Sequence, residues 1–260
     1  MSELVAGRRL NLSDYTSARV SLPVAGNSIA TAEVLNFQLA HAQARDAVHA
    51  VLDVAAFERR LGSELPILDE AGIPVLQLRS NASSRAVYLR HPQLGRTLDS
   101  DSAAQLRASP CDLSITVADG LSALAVERNA IPLLAELLPR LLDTGWKLAP
   151  IALVQEGRVA IGDPIGLGLV ASLSLVLIGE RPGLSSADSM GAYLTWQPHP
   201  DRTDADRNCL SNIRDGGLSA EAAAGRLFWY LEAARERRLT GTLLKEGAIG
   251  LEDRGALGLG

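Results

Sequence analysis

Glu180 is the residue whose neighbours best suit it to recognition chemistry. It follows an unbroken apolar run, Leu173–Ile178, and stands in the turn Gly179-Glu180-Arg181-Pro182-Gly183. A run that short and that continuously apolar predicts a strand buried on both faces of a parallel sheet. The turn behind it then falls on the edge where open α/β sheets bind ligands. Three more short segments share this character: Asp119-Gly120-Leu121-Ser122, Gly157-Arg158-Val159, and Asn208-Cys209 within the polar stretch Arg207–Asn212, which reads as a loop. In a parallel sheet the loops at 119, 157 and 179 converge on one rim. Such a rim suits a large, mostly neutral ligand edged with amides: glycines let backbone approach, Val159 offers apolar contact, and Glu180 accepts hydrogen bonds from amide N–H groups. The same carboxylate, met alone, also reads as an ordinary surface or capping group.

Other chemistries find less support. The four histidines are His41, His49, His91 and His199. His41 and His49 stand too far apart to act as paired ligands on one helix face, and neither Cys111 nor Cys209 has a cysteine partner nearby, so no metal site is expected. Cys209 could serve as a thiol nucleophile with His199 as base, but no activated-site signature surrounds it. Ser185-Ser186 lacks the Gly-x-Ser-x-Gly elbow. Gly162-Asp163-Pro164-Ile165-Gly166-Leu167-Gly168 is glycine-rich without the Gly-x-Gly-x-x-Gly spacing, and its aspartate repels phosphate.

The elements that must position the rim are legible in the apolar spacing. From Cys111 onward strands and helices alternate: strand 112–117, helix through Leu142, strand 147–154, a loop and short helix over 158–168 with Asp163 as N-cap, strand 173–178, strand 192–196, and a helix from Leu218 to Arg238 capped by Ser219. Thr242–Leu244 reads as a closing strand. Upstream, apolar residues at helical spacing predict one long helix from Thr31, as N-cap, to Leu61, ended by Gly62. Strands are expected at 75–78 and 86–89 and a helix at 99–107. Residues 1–30 and the tail after Gly247 read as irregular. The pattern predicts an α/β fold with a doubly wound, mostly parallel sheet and an N-terminal helical segment. It divides into an arm and long helix (1–62), a connecting α+β region (63–110) and a sheet domain (111–260).

Composition bounds the partners. Across 260 residues the net charge is −5, which disfavours a general nucleic-acid binder. No apolar run is long enough to span a membrane, no secretory leader is evident, and two cysteines suit a reducing cytoplasm. Lysine occurs only at Lys147 and Lys245, so arginine carries nearly all the basic charge. Codon usage explains that simply; the functional alternative is that arginines serve an interface.

Extended blocks of the chain also match a known family. Phe37-Gln38-Leu39-Ala40-His41-Ala42-Gln43-Ala44-Arg45-Asp46-Ala47-Val48-His49, Gly179-Glu180-Arg181-Pro182-Gly183-Leu184-Ser185-Ser186, Gly191-Ala192-Tyr193-Leu194-Thr195-Trp196 and Arg207-Asn208-Cys209 through Arg214 strongly resemble the small (light) subunit of ethanolamine ammonia-lyase, in order and spacing from about Ser17 to Lys245. The resemblance implies a Rossmann-like domain over 111–260 that helps bind adenosylcobalamin at the interface with a large subunit, within a higher hetero-oligomer. The large subunit would supply the catalytic residues that turn ethanolamine into acetaldehyde and ammonia, and this chain alone would be inactive. By similarity the cofactor-binding positions fall on Val159, Glu180 and Cys209. No Asp-x-His-x-x-Gly motif occurs here, so the cobalamin is expected to keep its own dimethylbenzimidazole on cobalt. The implied location is the cytoplasm or a bacterial microcompartment; this chain reaches its first family block within about 40 residues, without the longer extension that some members carry. Two other readings stand beside this one: a purely structural assembly subunit, and a stand-alone α/β thiol enzyme using Cys209.

Overall fold

The structure, a computed structural model, describes residues 24–245 together with Leu12, Val20 and Leu22. A small hairpin, β1 (Val24–Ala25) and β2 (Ser28–Ile29), leads into α1 (Thr31–His49), α2 (Val54–Glu64) and α3 (Ile67–Glu70). Then follow β3 (Val75–Arg79), α4 (Arg85–Arg90), α5 (Ser100–Gln105), β4 (Cys111–Ala118), α6 (Ala123–Asp143), β5 (Ile151–Gln155), α7 (Gly162–Gly168), β6 (Ala171–Gly179), β7 (Met190–Trp196), β8 (Arg207–Ile213) and α8 (Ala220–Arg237). Six of the strands form one sheet in the order β3-β5-β4-β6-β7-β8. The first four run parallel, and β7 and β8 add antiparallel to one edge. This is the mostly parallel α/β sheet that the alternation of elements predicts, and it is consistent with the Rossmann-like fold that the resemblance implies.

Alternation along the strands separates two apolar layers. Leu113, Ile115 and Val117 of β4, with Leu173, Leu175 and Leu177 of β6, face α2, α6 and α8, where Phe57, Leu134, Leu138, Leu227 and Leu231 close the larger core. The opposite face carries smaller residues, Ala118, Ala152, Val154, Val176 and Ile178, against Ile161, Ile165 and Leu169. Helix α7, only seven residues long, packs over β4 and β6. Its Asp163 meets Arg207 at the start of β8, while Tyr193 on β7 is only partly covered and Cys209 on β8 is exposed.

Several local expectations are corrected. The predicted helix 31–61 is two helices. Ala50 turns extended (φ −61°, ψ 141°), and Asp53 starts α2 by accepting a hydrogen bond from the Ala56 N–H at 2.9 Å. A side-chain acceptor placed mid-run offers the backbone a cap and so competes with continued helix. Thr31 is the first helical residue rather than the cap, and Gly62 lies inside α2. Residues 86–89, read as a strand, belong to α4, capped by Ser84; four residues are too few for periodicity to separate helix from strand. The closing strand 242–244 is a 3₁₀ turn, Gly241–Leu243. Strand β5 begins only at Ile151, with Leu148 making an isolated bridge to Leu113. The polar loop 207–212 is strand β8, because pairing with β7 satisfies its backbone whatever its side chains. The expectation for the tail after Gly247 lies outside the described residues.

Candidate ligand-binding rim

The turns after β4, β5 and β6 are hydrogen-bonded to one another. Leu121 N–H donates to Gly179 O at 2.9 Å and Gly157 N–H to an Asp119 carboxylate oxygen at 3.3 Å; Arg158 N–H reaches outside these turns to Gly95 O at 2.7 Å. Two glycines allow this closeness. A side chain on Gly120 (φ +59°) would put its Cβ 2.2 Å from Gly179 O, and one on Gly179 would stand 2.0 Å from Ser122 O. Together these turns edge a cavity of about 420 Å³ lined by Gly120, Leu121, Val159, Glu180, Arg181 and Tyr193, with Tyr88 and Arg158 along one wall.

Val159 and Glu180 therefore share one mouth. Val159 begins the 3₁₀ turn Val159–Ile161 that leads into α7. Glu180 is held by the residue just before β7 and by β8: its Oε2 accepts from Ser189 Oγ at 2.5 Å and from Asn212 N–H at 3.3 Å. No described residue donates to its Oε1, which is left as an acceptor. Cys209 does not line the cavity. It is the cross-strand partner of Tyr193, which does, and it lies on the same sheet face. Burial, and then the adjacent Cys209 thiol, push the Tyr193 phenol well above its usual range, so it stays protonated and can donate. The Cys209 thiol also meets Ser211 Oγ at 3.4 Å. His199, the base considered for it, has its Nδ1 3.2 Å from Asp201 instead, and among the described contacts none joins the two.

Beneath the rim lies a charge cluster that sequence reading missed. Arg85 reaches Glu156 at 3.1 Å and Asp119 at 3.6 Å, all three almost wholly shielded from water. Arg85 also donates to Gly120 O at 2.8 Å and to Val48 O at 2.8 Å. Tyr88, one turn on in α4, donates to Gly157 O at 2.9 Å, and its ring is capped by the Arg158 guanidinium at 4.2 Å. The available signal was Ser84 as N-cap, which would have made 85–90 a helix and placed Arg85 and Tyr88 on one face.

One guanidinium against two buried carboxylates leaves a net negative charge unless a proton is retained. Burial first, and the charge of Glu156 second, push the Asp119 carboxyl up to about 7, against the pull of Arg85. An unfolded aspartate titrates near 3.9. Between about pH 4 and pH 7 the folded chain thus holds a proton that the unfolded chain has lost, so stability falls as pH rises through that window and levels off above it. Asp119→Asn keeps the acceptor for Gly157 N–H and removes the titration. We expect its urea midpoint to stay flat across that window, where the native midpoint declines; equal slopes in the two proteins would assign the proton elsewhere.

A larger recess, about 690 Å³, opens at the opposite ends of the parallel strands beside Val170, Gln197 and His199, away from the rim turns. Among the described residues no group of three or more His, Cys, Asp or Glu side chains could hold a metal ion, and no helix is long and apolar enough to cross a membrane.

Comparison with known proteins extends the reading of the rim. Residues 8–245 match the family model described as ethanolamine ammonia-lyase light chain. The chain is 50% identical over 239 residues to the ethanolamine ammonia-lyase small subunit of Azotobacter vinelandii, covering 90% of this chain and 86% of that one. It is 48% identical over 245 residues to the small subunit of Pseudomonas aeruginosa strain LESB58, covering 92% and 87%. With the small subunit of Bradyrhizobium diazoefficiens it shares 46% identity over 252 residues, 95% of this chain and 94% of the other.

Proposed function

We propose, from the premise that the chain belongs to the ethanolamine ammonia-lyase light-chain family, that it is the small subunit of an ammonia-lyase and holds adenosylcobalamin jointly with a large catalytic subunit. The observation that carries this reading is the shared mouth of Val159 and Glu180 at the carboxyl ends of parallel strands.

The residues present fit the edge of a corrin. Glu180 Oε1 is a free acceptor for a peripheral amide N–H, Tyr193 has a protonated phenol, and Val159 and Leu121 give apolar contact. The cavity takes an edge, not a whole corrin, so a second surface must cover the remainder. Helix α1 supports such a partner: Val34, Leu35, Phe37 and Leu39 are all exposed along it, more apolar surface than a lone helix ordinarily leaves in water. Adenosylcobalamin, when bound, supplies the radical chemistry of the deamination. The chain's own residues orient the cofactor's edge and exclude water from it. Glu180 is pre-set for that by Ser189 and Asn212, which fix its rotamer before any ligand arrives. Cys209 contributes through Tyr193 and is not needed as a cobalt ligand. Acetaldehyde formation requires both subunits in this reading.

In the co-purified complex, Glu180→Ala should weaken cobalamin binding about 10–100-fold, the worth of a hydrogen bond to a charged group. Cys209→Ala should weaken it less. Equilibrium dialysis read by the corrinoid spectrum measures both. Native affinity in the Glu180→Ala complex would leave this chain an assembly subunit only, and full turnover by this chain alone would refute the division of labour.

A further inference from the structure

A second cleft adjoins the rim and shares Arg158 and Val159 with it. It holds about 430 Å³ and is walled by Arg96, Arg158, Ala160, Arg202, Asp204 and Arg207. Four arginines therefore line one cleft of a chain whose net charge is −5.

Their partners are unevenly supplied. Arg207 is paired with Asp163, and Arg202 lies 3.7 Å from Asp206. Asp204, fully exposed, lies 3.9 Å from Arg207 Nε, beyond hydrogen-bonding reach. Arg96 and Arg158 meet no carboxylate among the described residues; Arg158 instead lies over the Tyr88 ring. The Nε–H groups of Arg158 and Arg207 are both buried and meet no acceptor among the described residues. A buried donor without an acceptor is costly and uncommon. Two such donors on residues that wall the same cleft mark where an acceptor belongs, and guanidinium groups select an oxyanion.

We infer that this cleft receives the phosphodiester of the cobalamin nucleotide loop. The inference rests on the cofactor assignment above. Cobalamin's peripheral side chains are neutral amides, and the phosphodiester is the single anion it carries. The mouth beside Glu180, with its open carboxylate acceptor, suits the amide N–H groups; the cleft next to it, with four arginines in its wall, suits the anion. Arg96 and Arg158 are the receiving pair. They stand close because Arg158 N–H donates to Gly95 O, beside Arg96.

The test compares two corrinoids on the complex with the large subunit: cyanocobalamin, which has the nucleotide loop, and dicyanocobinamide, which lacks it. Arg96→Gln, at an exposed position, and Arg96→Gln/Arg158→Gln are measured by equilibrium dialysis. The single variant should weaken cyanocobalamin several-fold with cobinamide affinity unchanged; the double variant should weaken cyanocobalamin about 10–100-fold and cobinamide much less, since Arg158 also walls the rim. Inorganic phosphate should compete with cyanocobalamin and not with cobinamide in the native complex. Native cyanocobalamin affinity in the double variant overturns the inference and leaves the Glu180 site standing. An equal loss of both corrinoids also overturns it, because the arginines would then shape the rim generally. Loss of subunit association on gel filtration overturns it too, by assigning the arginines to carboxylates of the large subunit. If the native complex binds neither corrinoid, this inference and the cofactor assignment fall together.

Discussion

Arg207→Met should cost about 3–5 kcal/mol of folding stability, because it strips the partner from a carboxylate that has no access to water. The Arg207 guanidinium meets Asp163 through two contacts, 2.9 and 2.6 Å, with side-chain exposures of 3% and 1%. It also donates to Thr195 Oγ1 at 2.8 Å. The pair fastens the first residue of β8 to α7, across the same sheet face on which Tyr193 and Cys209 stand. Methionine fills much of the volume and leaves the Asp163 carboxyl buried without its partner. Urea unfolding followed by circular dichroism measures the loss. The companion double variant, Asp163→Leu/Arg207→Met, should regain most of it, since an apolar pair has no charge to desolvate. A single variant that loses less than about 1 kcal/mol would show that water reaches Asp163 once the arginine is gone.

Gly179→Ala should be nearly as damaging, by steric exclusion rather than by charge. Its added methyl would stand 2.0 Å from Ser122 O and 2.5 Å from Asp119 O, both backbone atoms that cannot rotate away. The turns after β4 and β6 would have to separate, breaking the Leu121 N–H to Gly179 O bond and widening the mouth beside Glu180. A cost of about 3 kcal/mol or more is expected, at the upper end for overpacking, with cobalamin binding lost in whatever complex still assembles. Gly62→Ala is the contrast: it lies inside α2 with nothing within 4 Å of the added Cβ, so alanine should stabilise by up to about 1 kcal/mol through helix propensity. If Gly179→Ala matched Gly62→Ala in a thermal melt, the close packing of the rim turns would be wrong.

The two substitutions draw on different kinds of information. Gly179 could be read in advance: a glycine directly after an apolar strand announces a tight exit turn, and the same holds for Gly120 and Gly157. The central strands were legible for the same reason, as was α8 with Ser219 as its cap, accepting from Ala222 N–H at 3.3 Å. Val159 and Glu180 were placed together because both follow parallel strands, and parallel strands end on one side of a sheet. Nothing local marked Arg207 as buried. It opens a segment so polar that it reads as a loop, and its partner lies 44 positions away. Arg85 is the same case, 71 positions from Glu156 and hidden in a stretch that alternates like a strand.

What the amino-acid order alone determined here is whatever depends on a few consecutive residues: strand and helix periodicity, caps, exit turns, and therefore the class of sheet and the existence of a rim. The tertiary structure decided which charges lie buried, that β8 is a strand, that Cys209 stays exposed, and that two clefts join at Arg158. Periodicity and capping act over one or two helical turns, and each leaves a local pattern. Ion pairs and cavities arise only when distant segments are packed together, and a lone arginine or aspartate carries no sign of which remote partner will remove it from water.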